Sequence, residues 1–185
     1  MVEDAPEPVL CVDLDGTLAR GDTMIRAGGW LALSRPWLVP PLALWSLRGR
    51  GHLKDQIARR TRFDPASLVY HQGLLAWLRA EKDRGRTLVI ASGADRRVVA
   101  AVARHLGLFD DILASDGSIS LTGSRKAAAL AARFGAFDYV GNSGTDLAVW
   151  RHARLCYLVA RRRGHPARFG RQVRFARIFD ATGEF

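Results

Sequence analysis

Short apolar runs recur along the chain at Val9–Asp13, Thr87–Ala91, Asp111–Ala114, Phe137–Val140 and Leu155–Ala160. The first four end in polar or glycine-containing turns, which is how a strand inside a packed sheet reads. The intervals between them carry helical spacing. Leu74 and Leu78 share one helical face, as do Val98, Val102 and His105–Leu106. Ser124 is placed to cap an alanine-rich helix over Arg125–Phe134, which Gly135 stops. Strands alternating with helices predict an α/β fold built on a parallel sheet.

One interval breaks this rhythm. Roughly seventy residues separate the first strand from the second, far more than an ordinary crossover needs. They predict helices at Thr23–Leu33, Pro36–Leu47, His52–Arg60 and Tyr70–Glu81. The expected organisation is therefore a core of residues 1–20 and 84–185 with a helical insertion at 21–83, whose last helix returns to pack on the core.

Composition permits this reading. The chain has 185 residues and is 48% hydrophobic, enough for one sizeable core. Cys11 and Cys156 both lie in apolar runs, as small buried residues in a reducing compartment do. The acidic, proline-containing start does not read as a secretory signal, so a cytoplasmic location is expected. The net charge of +10 favours anionic partners. Because nearly all basic residues are Arg, part of that charge reflects composition bias. No nucleic-acid motif accompanies it, which disfavours DNA and RNA.

The candidate chemistry lies at the strand ends, where open α/β sheets bind ligands. Val12 leads into Asp13-Leu-Asp15-Gly16-Thr17. A carboxylate such as Asp13 can attack phosphorus and form an aspartyl phosphate. A second one, Asp15, can protonate the leaving group and then deprotonate water. The second strand ends in Ser92-Gly93, a hydroxyl and a backbone N–H expected at a helix start, where anions are attracted. Lys126 falls in the first turn of the following helix, a position unfavourable for a cation unless an anion sits there. The fourth strand ends in Gly141-Asn142-Ser-Gly-Thr-Asp146, where Asn142 and Asp146 offer oxygen ligands to a hard cation.

In this order the Asp13–Thr17 segment, Ser92, Lys126 and the Gly141–Asp146 turn resemble the four motifs of the haloacid dehalogenase superfamily. The resemblance covers essentially the whole chain. It implies a Rossmann-like core with a cap inserted after the first strand. It also implies Asp13 as nucleophile and Asp15 as general acid and base. Thr17, Ser92, Gly93 and Lys126 would hold the phosphoryl group. Mg2+ would be held by Asp13, the Asp15 carbonyl, Asn142 and Asp146. The implied activity is phosphate monoester hydrolysis; transfer to another acceptor and a non-catalytic adaptor are the alternatives. Dehalogenation would leave Asp15 and the metal without a role. The family usually places Asp where Asn142 stands, so a weaker metal site is expected.

Residues 74–81, 105–117 and 146–150 are similar to the domain preceding UbiA-type polyprenyl transferases in bacterial fusion proteins. This implies a polyprenyl-linked phosphate as substrate, or a membrane prenyltransferase as partner. The insertion is consistent with it: Ala27–Leu47 carries Trp30, Trp37 and Trp45 with Arg35 as its sole charge, and Pro36, Pro40 and Pro41 break it into pieces too short to span a bilayer. From Arg151 to Arg177 the chain has nine arginines and no acidic residue. Such segments favour peripheral contact with an anionic membrane, here at its inner face.

Overall fold

The computed structural model describes residues 7–23, 63–116, 119–160 and 165–180, with isolated positions 37, 41, 44, 45, 47 and 56 between them. Its strands are β1 (Val9–Val12), β2 (Leu88–Asp95), β3 (Asp111–Ser115), β4 (Phe137–Gly141), β5 (Cys156–Ala160) and β6 (Phe175–Asp180). The helices are α1 (Gln72–Asp83), α2 (Arg96–Leu106), α3 (Gly123–Phe134) and α4 (Leu147–Trp150). The strands form one sheet in the order β3-β2-β1-β4-β5-β6, and every neighbouring pair is parallel. This is the α/β architecture that the strand–helix alternation predicts.

Both faces of the sheet are covered, because parallel strands joined by helical crossovers bury both sides. Leu10, Val12, Leu88 and Ile90 point to one face and pack with Leu74, Leu75 and Leu78 of α1 and Val98, Val99 and Val102 of α2. Cys11, Val89, Ala91 and Tyr139 point to the other, where Ala127 and Leu130 of α3 and Val149 and Trp150 of α4 meet them. The switch from one face to the other follows the two-residue period of the strand.

Several boundaries move from their sequence positions for local reasons. The helix predicted from Tyr70 starts at Gln72, because His71 accepts the Leu74 N–H at its Nδ1 (3.1 Å) and caps it. Tyr70 instead bridges to Ala19. Ser124 is not a cap: α3 begins at Gly123 with Thr122 at the cap position, and Gly135 ends it with a positive φ of 67°. His105 lies on the Val98–Val102 side of α2, where it is exposed and stacks on Tyr70 at 5.9 Å.

β6 is absent from the sequence expectation, which reads the segment as a basic tail. It pairs with β5 at the sheet edge, anchored by Phe179 (4% exposed). The Arg177 guanidinium covers Phe179 at 4.7 Å and Trp77 at 5.8 Å. The basic segment thus conceals a strand in which Arg177 and Phe179 meet one face of the sheet, while Phe175, across a register shift, packs on Trp150 at 5.1 Å on the other. Of the insertion, α1 packs on the core. The helices predicted at 23–33, 36–47 and 52–60 lie outside the described residues, apart from Thr23 and the isolated positions. No helix among the described residues is long and apolar enough to cross a membrane.

Candidate active site

The strand order sets the location. Successive strands β1, β2 and β3 step one way along the sheet, and β4, β5 and β6 step the other way from β1. The crevice outside the carboxyl ends of β1 and β4 is therefore the switch point where α/β sheets bind ligands. Val12 pairs with Val140, and the Asp13 N–H donates to the Val140 carbonyl at 3.0 Å. Asp13 and the Gly141–Asp146 turn are brought together by this register alone.

Asp13 is 7% exposed. Its Oδ1 accepts from Lys126 Nζ at 2.8 Å, and its Oδ2 accepts from Thr17 Oγ1 at 3.1 Å. Thr17 can reach back because Gly16, at φ 75°, lets the chain fold sharply after the strand, with the Leu18 N–H donating to the Asp13 carbonyl at 3.3 Å. Thr17 is fully buried, and its hydroxyl is directed at Asp13. Burial pushes the Asp13 carboxyl up to about 6; Lys126 opposes this, while Asp146 and Asp15 add to it. Burial pulls the Lys126 ammonium down, but Asp13 and Asp146 outweigh it and hold it charged.

Asp15 is aimed from a different direction. Its Oδ1 accepts the Thr23 N–H at 2.8 Å, so the first residues of the insertion fix its side chain. Its backbone carbonyl accepts from Asn142 Nδ2 at 3.2 Å. That contact joins the loops after β1 and β4.

Asp146 closes the second loop on itself. Its Oδ2 accepts from the N–H groups of Asn142 (3.1 Å) and Ser143 (3.0 Å) and from Ser143 Oγ (3.0 Å). Its Oδ1 accepts from Tyr139 Oη at 2.8 Å. Both oxygens are engaged by protein donors, so its carboxylate acts as the clamp of the turn. Gly141 makes this approach possible: a Cβ there would lie 2.8 Å from Asp146 Cγ and 2.9 Å from Tyr139 Cε1.

Ser92 and Gly93 occupy the same end of the sheet, one strand away; Ser92 lies two residues past Ile90, the partner of Val12. Neither is at a helix start. The strand continues with an irregularity to Asp95, and Asp95 caps α2 by accepting the Arg97 N–H at 2.9 Å. Ser92 Oγ accepts from the Ala94 N–H at 3.0 Å, and the Gly93 carbonyl accepts from Ser115 Oγ at 2.9 Å. The bulged backbone is held by these side chains. Lys126 does lie in the first turn of its helix, and its anionic partners within the fold are Asp13 at 2.8 Å and Asp146 at 3.8 Å.

Among the described residues no group of three or more His, Cys, Asp or Glu side chains is spaced to hold a metal. The groups gathered at the ends of β1 and β4 are instead one carboxylate (Asp13), one carbonyl (Asp15) and one side-chain amide (Asn142), whose Nδ2 donates to that carbonyl. Such a set fits Mg2+, which takes one or two carboxylates and fills its remaining positions with water and phosphate oxygens. Two contributors escape the sequence motifs. Thr23 acts through its backbone, which carries no residue-type signal. Tyr139 reads as one more apolar strand residue, although the spacing Tyr139-x-Gly141 places its ring over a position with no side chain.

The chain spans about a third of the length of the curated relative it matches: it is 30% identical over 177 residues to protein y4nM of Sinorhizobium fredii, covering 95% of this chain and 33% of that one. Among solved structures, a phosphoaspartyl-intermediate analogue of phosphoserine phosphatase aligns over 95% of this chain and 94% of its own, at 15% identity and a TM-score of 0.60. The deoxy-D-mannose-octulosonate 8-phosphate phosphatase YrbI of Haemophilus influenzae, in its cobalt-bound form, aligns over 92% and 76%, at 13% identity and a TM-score of 0.53. These two share the fold. The family model of haloacid dehalogenase-like hydrolases matches residues 10–151, from β1 through α4, and the chain belongs to that family.

Proposed function

We propose that the chain is a Mg2+-dependent phosphate monoester hydrolase that acts through a phosphoaspartyl intermediate on Asp13. The observation that supports this best is the pairing of a buried carboxylate with a buried ammonium, Asp13 Oδ1 to Lys126 Nζ at 2.8 Å, at the switch point of the sheet. Few structural needs call for an ion pair there, since buried pairs add little to stability.

The assigned chemistry runs in two steps. An Asp13 carboxylate oxygen attacks phosphorus and the bond from phosphorus to the leaving oxygen breaks, with Asp15 donating its proton to that oxygen. Asp15, now ionised, takes a proton from water as the water oxygen attacks phosphorus, and the bond from phosphorus to Asp13 breaks to release phosphate. Thr17 orients Asp13. Lys126 compensates charge on the transferring group, with the Ser92 hydroxyl and Gly93 N–H as further donors. Asp13, the Asp15 carbonyl and Asn142 would hold Mg2+, with Asp146 keeping Asn142 in place behind them. When bound, Mg2+ supplies electrostatic stabilisation of the phosphoryl oxygens.

Phosphate release from an aryl phosphate, followed by a screen of soluble and polyprenyl-linked monoesters, tests the reading. Asp13→Asn should abolish turnover and the acid-stable phosphoenzyme. Turnover equal to that of the parent excludes Asp13 as nucleophile.

A second reading concerns where the chain works. Trp37, Leu44 and Leu47 are exposed, at 68%, 56% and 82%, and so are Arg168, Arg171, Arg174 and Arg177. Exposed apolar side chains and a basic surface both favour peripheral contact with an anionic membrane, or with a membrane prenyltransferase embedded in it. Flotation with anionic vesicles at low salt should carry the protein upward; protein left at the bottom refutes this.

A further inference from the structure

Tyr139 stands outside the family-like motifs, yet it sits at the centre of the buried charge cluster. Its hydroxyl accepts from Lys126 Nζ at 2.8 Å and donates to Asp146 Oδ1 at 2.8 Å. The direction of both bonds is forced, because an ammonium can only donate and an ionised carboxylate can only accept. A hydroxyl is the smallest group that can do both at once. Burial, with the charges of Asp146 and Asp13, pushes the phenol well above its ordinary value, so this proton stays on oxygen.

The geometry also sets two anions in competition for one cation. Lys126 Nζ is 2.8 Å from Asp13 Oδ1 and 3.8 Å from Asp146 Oδ1. All three groups are buried, where charges attract most strongly. The Tyr139 hydroxyl stands beside the 3.8 Å gap between Lys126 and Asp146 and bonds to both as a neutral bridge. Gly141 leaves the room for this: the Tyr139 ring runs along the strand over the space a Cβ would fill.

We propose that Tyr139 is a positioning residue that holds Lys126 on Asp13 by bridging it to Asp146 through a neutral hydroxyl. The assignment rests on the hydrolase reading given above. Without the hydroxyl, the 3.8 Å gap between Lys126 and Asp146 closes to hydrogen-bond distance, and the ammonium is drawn off the nucleophile and the phosphoryl group it should meet. The Asp146 clamp on the Asn142 turn is drawn inward by the same movement.

Tyr139→Phe keeps the ring and removes the bridge. We expect kcat on an aryl phosphate with Mg2+ to fall about 10- to 100-fold with KM changed less than threefold, and beryllofluoride, a mimic of the aspartyl phosphate, to bind at least tenfold more weakly. Its melting temperature reports on the fold separately, and Tyr139→Met provides a second hydroxyl-free variant with different packing. Because Tyr139 acts through Lys126, adding Tyr139→Phe to Lys126→Met should lower kcat no further. A merely structural role would give additive losses in that pair and overturns the proposal. If the parent protein is active and Tyr139→Phe matches it within twofold, this assignment alone falls. If the parent neither releases phosphate nor binds beryllofluoride, the hydrolase reading falls and takes the assignment with it.

Discussion

Asp138 offers a test of what holds the sheet together away from the chemistry. It lies at the start of β4, three residues before Gly141 and therefore roughly 10 Å along the strand from the switch point. Its side chain is fully buried and accepts from four donors. Arg154 Nε (3.0 Å) and the Leu155 N–H (3.0 Å) reach Oδ1; Arg154 Nη2 (2.9 Å) and Arg86 Nη2 reach Oδ2. Arg86 is itself buried and bonded to Glu81 Oε2 at 2.8 Å. One carboxylate thus ties the approaches to β2, β4 and β5. Asp138→Ala leaves the Leu155 N–H and one Arg86 nitrogen without their partner. Breaking a buried ion pair from one side costs about 3–5 kcal/mol. Arg154 is half exposed, so water replaces most of its contact, worth about 1 kcal/mol at most. Glu81 still compensates the Arg86 charge, which places the expected loss near the lower bound, about 3 kcal/mol. For a chain of this size that lowers the melting temperature by roughly 6–12 °C. Urea unfolding should show a lower midpoint with an unchanged slope, while kcat at 25 °C stays within about twofold of the parent. A loss below about 1 kcal/mol would refute the reasoning, since it would mean that the four contacts merely replace equivalent ones in the unfolded chain.

The remaining predictions concern the strand ends. Gly141→Ala puts a Cβ into contact with Asp146 and Tyr139 and should cost about 1–3 kcal/mol in urea unfolding while lowering kcat at least tenfold; parental values for both would show that the turn has room to relax. Asp13 must be ionised to attack, and its carboxyl is pushed up from 3.8 to about 6, so kcat/KM should rise with pH through about 6, and rising Mg2+ should move that limb to lower pH. The same shift favours the metal-free fold at low pH: the contribution is complete below 3.8 and lost as pH rises through about 6, which pH-dependent unfolding of the parent and Asp13→Asn will show. Asn142→Asp adds a negative charge beside the Asp15 carbonyl and should tighten Mg2+ binding about tenfold by calorimetry; unchanged affinity would place the metal elsewhere.

How much of this was legible in the sequence depends on which kind of signal each element carries. β1, β2 and β4 are central and buried on both faces, so their apolar runs stand out without reference to anything else. Asp13 is found with them, because a carboxylate directly after such a run is conspicuous. β6 is an edge strand whose register shift between Phe175 and Arg177 sends Phe175 and Phe179 to opposite faces, so no regular alternation marks it and the arginines around it read as charge. Ser92 was expected at a helix start because Ser-Gly after a strand is the common turn; the bulge to Asp95 is set by Ser115 and Ala94, neither of which marks it in the sequence.

The same division explains the site. Residues that could act on phosphate carry their function in their own side-chain chemistry, and the motifs pick them out one by one. Residues that hold those groups in place carry it in geometry. Thr23 contributes a backbone N–H, Gly141 an absence of atoms, and Tyr139 a hydroxyl whose value comes from lying between Lys126 and Asp146. Lys126, moreover, has two anions within 4 Å, and no residue pattern states which one it serves. The fold decides that by placing a neutral bridge on one side only. Burial, Lys126, Asp146 and Asp15 set the charge balance at Asp13, and the uncharged Tyr139 bonds to two of those groups, so a motif built from ionisable residues alone describes the site's chemistry without the arrangement that directs it.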